Sequence, residues 1–476
     1  MKAPREHARK VARSLDEAVE RAGLRDGATI SFHHHLRNGD GVLNAVLDAC
    51  ARAGLRGLRL APSALFPVHE PLTRQIREGT VSAIETAFVS GPVGEAVMAG
   101  MLAEPLRLTT HGGRAAAIRD GALRIDAAFV AAPAADPLGN ISGTLGPNAC
   151  GTLGYAMVDA RHAAHVVAVA DQMLPYPCQS AAIGEEDVDT VCAVAAIGDA
   201  AGILSGTTHP ATDPADLAIA ENAIALFACS EHWRARFGFQ TGAGAISLAA
   251  ADALGRRMAA EKGAMGGFLS GGITGAHVRL LEAGLFEAIL DVQCFDLEAV
   301  RSHARNRAHR AISASAYAAP GPRGAVVDQL DAVILGAAEV DLDFNVNVTL
   351  AADGRIIGGS GGHADTASGS ALAIVTTRLT ARGFPKIVRR VGCITTPGAS
   401  IDAVVTEAGI AINPGRPDLY DRARAAGLTL LSIEELEAKS RGSATRALPP
   451  AKREGPVVAI SQSRDGAILD TIHARR

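Results

Sequence analysis

Aromatic residues are scarce: Phe, Tyr and Trp make up 4% of 476 residues, with one tryptophan. A core of this composition cannot rest on stacked rings and must pack on Ala, Val, Leu and Ile. No C-x-x-C pair occurs among the seven cysteines (Cys50, Cys150, Cys178, Cys192, Cys229, Cys294, Cys393). That excludes a disulfide framework or a paired-thiolate metal site, and fits a reducing cytoplasmic setting in which buried Cys acts as a small hydrophobe. No stretch approaches the ~20 uncharged apolar residues of a membrane helix. The N-terminal MKAPREHARKVARSLDEAVERAG is charged and helical in spacing, without the apolar centre of a signal peptide. Excess charge of one sign is missing too. The formal net charge is −4 and the pI near 6.4, which gives no reason to expect nucleic acid or an anionic membrane as a partner.

What the chain does have is length, glycine and a repeat. A chain of 476 residues exceeds one hydrophobic core and predicts two or three domains. Residues 125–141 (IDAAFVAAPAADPLGNI) align without a gap with residues 330–346 (LDAVILGAAEVDLDFNV), at a spacing of 205. Asp126 pairs with Asp331, Asp136 with Asp341 and Asn140 with Asn345, and the same spacing aligns Gly79 with Gly284. One fold used twice is the expectation, and Ala134 in the first copy stands opposite Glu339 in the second. Apolar runs of four to eight residues alternate with helix-length segments, the pattern of a buried parallel sheet with crossover helices. The expected organisation is α/β, with two tandem open-sheet domains over 1–216 and 217–440. A linker and C-terminal hairpin would follow over 441–476, turning at Asp465 and Gly466.

Four Gly-containing turns follow predicted strands: 33–41 (HHHLRNGDG), 109–113 (TTHGG), 240–244 (QTGAG) and 358–365 (GGSGGHAD). Ligands of open α/β sheets bind at the carboxyl ends of strands, where Gly permits close backbone approach and helix-start N–H groups attract anions. None is a P-loop, since no Gly-Lys-Ser/Thr follows. Glu339, Asp341 and Asp343 occupy alternate positions and would share one face if the preceding strand continues. His33, His34 and His35 are adjacent, so they cannot all ligate one ion, and no partner sits at a familiar ligand spacing; no metal is expected. His363 lies in a Gly-rich turn beside Asp365.

The blocks TISFHHHLRNGD, AEPLRLTTHGGR, GTLGYAMVDA, FQTGAGAISLA, GGITGAHV, LDVQCFD, AEVDLDFNVNV, GGSGGHADTA and INPGRPDL resemble the citrate lyase alpha subunit family over nearly the whole chain. The second half is more distantly similar to acetyl-CoA hydrolases and 4-hydroxybutyrate CoA-transferases. The resemblance implies CoA-transferase-like (NagB/RpiA-like) domains and a citrate:acetyl-ACP transferase: acetyl-ACP plus citrate gives citryl-ACP plus acetate. It implies no tightly bound cofactor. The acyl group would ride the CoA-like phosphoribosyl-dephospho-CoA arm of a carrier (gamma) subunit, with acetyl-CoA as substitute, and a beta subunit would cleave citryl-ACP within a hetero-oligomer. In the distant relatives a catalytic Glu follows a strand; here Gly275 of GGITGAHV takes that place, which points to direct transfer without an acyl-enzyme. Expected catalytic residues are Glu339, His363, Gly361, Gly362 and Asn345. Expected substrate or arm contacts are His33, His35, Arg37, Gln240, Thr241, Gly242, Gly244 and Asp365. A transferase or hydrolase using free CoA, a citramalate-specific homologue, and a non-catalytic assembly subunit stay open at this stage.

Overall fold

The computed structural model describes residues 10–204, 211–242, 244–261, 265–448 and 454–474. Two sheets organise them. The central strand of the first, Thr29–Phe32, pairs in parallel with Ala127–Ala135 on one side and Leu58–Pro62 on the other. Outward from Ala127–Ala135 lie Val166–Met173, Thr190–Ala193 and Val11–Ala12. Outward from Leu58–Pro62 lie Val81–Thr86 and Leu106–Leu108. The second sheet is built alike around Gly238–Thr241, flanked by Ala332–Gly336 and Gly266–Ile273. Beyond these stand Ala373–Thr376 and Ala403–Thr406 on one side, and Phe286–Cys294 and His309–Ala311 on the other. With Thr29–Phe32 and Gly238–Thr241 each taken as strand 1, and the six parallel strands that follow it in each half numbered in chain order, both sheets run 7-6-5-1-2-3-4.

The repeat extends to side chains. Asp126 Oδ2 accepts the Thr29 N–H at 2.7 Å, and Asp331 Oδ2 accepts the Gly238 N–H at 2.8 Å, so an equivalent acid pins the start of each central strand. Asp136 Oδ1 accepts the Asn140 N–H at 3.2 Å, and Asp341 Oδ1 accepts the Asn345 N–H at 2.9 Å; each closes the same loop. Beyond each strand a short antiparallel pairing repeats in register: Ala134 faces Ser142, and Glu339 faces Asn347.

Helices form where apolar residues recur at helical spacing. Val42–Arg52 buries Val42, Leu43, Val46, Leu47, Ala49 and Cys50, and the Asp40 carboxylate accepts the Val42 and Leu43 N–H groups at its start. One apolar core runs through both halves, with a smaller cluster under the second sheet. No helix among the described residues is long and apolar enough to cross a membrane.

Two divisions drawn from the sequence fall inside helices. The division at 216/217 falls inside the helix Pro214–Cys229, whose cap is Asp213. The division at 440/441 falls inside the helix Ile433–Ser443. The tail hairpin, Val457–Gln462 with Ile468–His473, belongs to the first sheet: Val457–Gln462 pairs in parallel with Leu106–Leu108.

Candidate functional site

Where strand 1 meets strand 5, the direction of chain winding reverses, and open sheets leave a crevice outside the strand ends there. Both sheets have such a point, and the two face each other. His33–His34–His35 leave the end of Thr29–Phe32, and Gln240 and Thr241 end Gly238–Thr241. The Gln293 side-chain amide donates to the His34 carbonyl at 2.8 Å across the junction. The His111 N–H donates to the Gly361 carbonyl at 2.8 Å, and the Gly361 N–H donates to the Ala87 carbonyl at 2.9 Å. Gly361 lies at φ +52°, the left-handed region that glycine tolerates. Asp365 accepts from the Thr110 hydroxyl at 2.7 Å and the Gly112 N–H at 2.9 Å. Below the junction Thr152 donates to Asp291 at 2.7 Å, and the same oxygen contacts Cys294 Sγ and His309 Nε2, each at 3.1 Å.

The junction is lined with buried rings. His34 stacks on His111 at 5.5 Å and lies 4.8 Å from Tyr155. His33 Nε2 accepts the Ala131 N–H at 2.8 Å, so its Nδ1 carries the proton and donates to His35 Nδ1. That fixes His35 with its Nε2–H outward, and this buried atom has no partner. The same holds for His111 Nδ1, Gln240 Oε1 and Gln293 Oε1. Buried polar groups are normally satisfied, so four orphans around one junction mark a place for a polar ligand. Burial lowers the pKa of His33 to about 4 and of His111 to about 3, and holds His34 and His35 well below the usual range. These rings are neutral donors and acceptors. Positive charge comes from Arg37, lowered by burial to about 10 and thus still charged, with its guanidinium 4.4 Å from the Phe295 ring centre. One cation, neutral imidazoles and amides suit a polycarboxylate.

The family model for "Citrate lyase, alpha subunit (CitF)" matches residues 8–475. The citrate lyase alpha chain of Escherichia coli (strain K12) is 43% identical over 465 residues, covering 98% of this chain and 91% of that one. That of Klebsiella pneumoniae is 42% identical over 464 residues, with the same coverages. The chain belongs to the citrate lyase alpha subunit family. Among solved structures, the alpha subunit of citrate lyase from Streptococcus mutans, in complex with citrate, superposes with a TM-score of 0.96 at 42% identity, over 100% of this chain and 93% of that one. A Pseudomonas malonate decarboxylase hetero-tetramer in complex with malonate gives 0.68 at 17% identity, over 93% and 88%. A Porphyromonas gingivalis 4-hydroxybutyrate CoA-transferase gives 0.55 at 18%, over 91% and 97%. These last two show the fold alone, which is CoA-transferase-like.

Of the residues expected from sequence in this citrate lyase alpha subunit family member, the structure gathers His33, His35, Arg37, Gln240, Gly361, Gly362 and Asp365 at the junction. The Gln240 amide donates to the Tyr317 hydroxyl at 2.8 Å, and a Cβ on Gly362 would lie 2.8 Å from that hydroxyl. Thr241 turns to His277, 3.0 Å away. The Gly242 N–H is spent on the Ile334 carbonyl, and Gly244 caps the helix Ala245–Ala260 without a side-chain partner; Ala243 between them lies outside the described residues.

Other expected residues point elsewhere. His363 starts a short helix, and its ring is held at the end of Ala332–Gly336: Nδ1 accepts from Thr396 Oγ1 at 2.8 Å and Nε2 donates to the Gly336 carbonyl at 3.0 Å. Asn345 serves the Asp341 loop and accepts the Gly398 N–H at 2.9 Å. The three acids of AEVDLD do not share a face, because the strand ends at Gly336. Asp343 is exposed, Asp341 is buried in its loop, and Glu339 accepts from Asn347 Nδ2 at 2.9 Å and the Gly392 N–H at 3.0 Å. Glu339 lines a separate cavity of about 1000 Å³. A Cβ on Gly275 would meet the carboxylate of Glu298, the half-exposed end of a flexible side chain. Sequence reasoning missed His34, His111, Tyr155, Tyr317 and Gln293 as site residues. Of these, His34 and His111 carried a signal, lying inside the Gly-containing turns 33–41 and 109–113.

Proposed function

We propose that this chain transfers the carrier thiol from acetate to citrate within a citrate lyase complex, with a carrier (gamma) and a lyase (beta) subunit as partners. The observation that carries the reading is the family match over 8–475, joined to a junction whose unpaired polar atoms suit a polycarboxylate. A citrate carboxylate attacks the acetyl thioester carbonyl of the CoA-like arm. The tetrahedral oxyanion collapses, the thiolate leaves, and an acetyl–citryl anhydride remains. The thiolate then attacks the citryl carbonyl and acetate departs, so acetyl-ACP plus citrate gives citryl-ACP plus acetate.

Citrate's remaining carboxylates would be met by Arg37, the His35 Nε2–H and His111. The oxyanion needs fixed donors, and losing one typically costs ~2.7–4 kcal/mol of transition-state stabilisation. The Gly361 N–H is already committed to Ala87, so the assignment narrows to Gly362 and the helix start at Gly244. Glu339, His363 and Asn345 have their polar atoms engaged within the chain, and in this reading they take positioning roles. Burial of the junction keeps water from the anhydride.

The test is the purified chain with acetyl-CoA or acetyl-carrier and labelled citrate. Acetate release that requires citrate, with label appearing in the thioester, supports the reading; acetate release indifferent to citrate sinks it. Hydroxylamine or borohydride should trap nothing on the protein.

A further inference from the structure

The cavity at Glu339 lies outside the junction, and its mouth is basic. Arg389 and Arg390 are adjacent and exposed on its wall, and neither makes a hydrogen bond or ion pair within the described chain. Arg446, on the same wall, holds its guanidinium 4.3 Å from the Phe384 ring centre, and Arg441 joins them. The acids nearby are occupied. Asp353 pairs with Arg355 at 2.8 Å, Glu437 with Arg441 at 3.5 Å, and Glu339 is capped by two donors at the floor. Between mouth and floor the walls are apolar, with Leu350, Ile387 and Val388. Two unengaged guanidinium groups lining one cavity offer N–H donors to phosphate oxygens, and a guanidinium plane can stack on a flat ring. An anionic head at the mouth and an uncharged flexible tail inside is the ligand this shape accepts.

The cavity and the junction are near one another along the chain. Gly336 accepts the His363 ring N–H, His363 directly follows Gly362, and Glu339 is only three residues beyond Gly336. Three residues span at most about 11 Å. That separation is short enough for a long arm held by its head at Arg389 and Arg390 to reach Gly362 with its tail.

We infer that this cavity binds the phosphate-bearing nucleotide end of the acyl-carrying arm, with Arg389 and Arg390 on its phosphates and Arg446 beside its base. The inference rests on the transfer reading for the identity of the arm, and on the cavity alone for the chemistry of its head.

The test compares the wild type with an Arg389→Ala/Arg390→Ala double variant, the fold of each checked by circular dichroism. Adenosine 3′,5′-bisphosphate binding by calorimetry reads the site without chemistry: the wild type should bind, and the variant should lose about tenfold or more in affinity per lost phosphate contact. In the transfer assay the KM for acetyl-CoA should rise by a similar factor. The KM for acetyl-pantetheine, which carries no phosphate, should be alike in both proteins. Equal nucleotide binding by both proteins overturns the assignment, whether or not transfer occurs. Nucleotide binding lost in the variant, with no citrate-dependent transfer by the wild type, leaves the site standing and removes the transfer reading. Acetyl-carrier is the last arm of the test. A matching KM rise places the carrier's prosthetic arm in the cavity, whereas a rise with acetyl-CoA only restricts the site to free CoA.

Discussion

The carboxylate of Asp365 holds the Thr110 hydroxyl and the Gly112 N–H at once, at 2.7 and 2.9 Å, so one buried acid ties the Gly-rich turn of the second half to a helix start of the first. Burial outweighs those two donors and raises its pKa from 3.8 to about 6. A folded pKa above the unfolded one means that folding favours the protonated acid. Its contribution to stability is therefore complete below about pH 3.8 and is lost as pH rises through 6, a difference of about 3 kcal/mol at 1.36 kcal/mol per unit. Asp365→Asn removes the titration. Urea midpoints of both proteins between pH 4.5 and 7 should show the wild-type advantage shrinking with rising pH. A constant gap would show that Asp365 does not titrate in this window.

The buried imidazoles act with the opposite sign. His111 falls to about 3 because burial, then Arg114, disfavours its charged form; His33, His277 and His363 fall to about 4, chiefly by burial. A depressed folded pKa gives stability that is present above the unfolded value near 6.5 and lost as pH falls toward the folded one. Each such ring steepens acid unfolding by up to ~1.4 kcal/mol per pH unit in that window. His111→Asn should flatten the dependence of unfolding free energy on pH between 6.5 and 4.5 by about that amount. An unchanged slope would mean that His111 is solvated and charged in the folded protein.

The fold was readable because its signals are local. Apolar runs alternate with helix-length segments, and the repeat at 205 is one of loop chemistry: Asp136 and Asp341 close equivalent loops with their own side chains. The site was half readable. Gly-containing turns after strands pointed to His33, His35, Gln240 and Gly361, which the fold brings together because strand ends meet where two such sheets face. What failed depended on where a strand stops and which way a ring turns. Glu339, Asp341 and Asp343 looked like one face only on an unbroken strand, yet the strand ends at Gly336 and the Asp341 carboxylate takes over the loop. His363 is adjacent to the junction in sequence, but a helix begins there and carries its ring to Thr396 and Gly336. The tail hairpin's place on Leu106–Leu108 joins Ala459 to Leu106, 353 positions earlier, and no local pattern encodes it.

Gly275 bears on whether a covalent route could be restored. Its N–H donates to Asp296 Oδ2 at 2.7 Å, and any side chain there would meet the Glu298 carboxylate. Gly275→Ala should be tolerated, because Glu298 is half exposed and can swing away. Gly275→Glu would set like charges together beside Glu298, so it should lower the thermal midpoint and still give no hydroxylamine-sensitive acyl-enzyme. Trapped acyl protein with the wild-type midpoint would show that position 275 faces the reacting atoms after all.

Gly362 and Tyr317 give the sharpest test of the junction. The Tyr317 hydroxyl is fully buried, receives the Gln240 amide, and stands where a Cβ on Gly362 would approach to 2.8 Å. At φ −97° alanine suits the backbone at 362, so Gly362→Ala should fold with little loss and act by displacing one hydroxyl and the amide that depends on it. A shift of about 1 Å in such a site costs on the order of 10²-fold in rate. Citrate-dependent transfer should fall by that order, with kcat carrying most of the loss. Tyr317→Phe removes the hydroxyl without adding bulk. In the Gly362→Ala/Tyr317→Phe double variant the clash is relieved, so the two losses should combine to less than their product. Strict multiplication of the single effects would mean that the tyrosine and the turn act independently, and the oxyanion role of the Gly362 N–H would then have to stand without this contact.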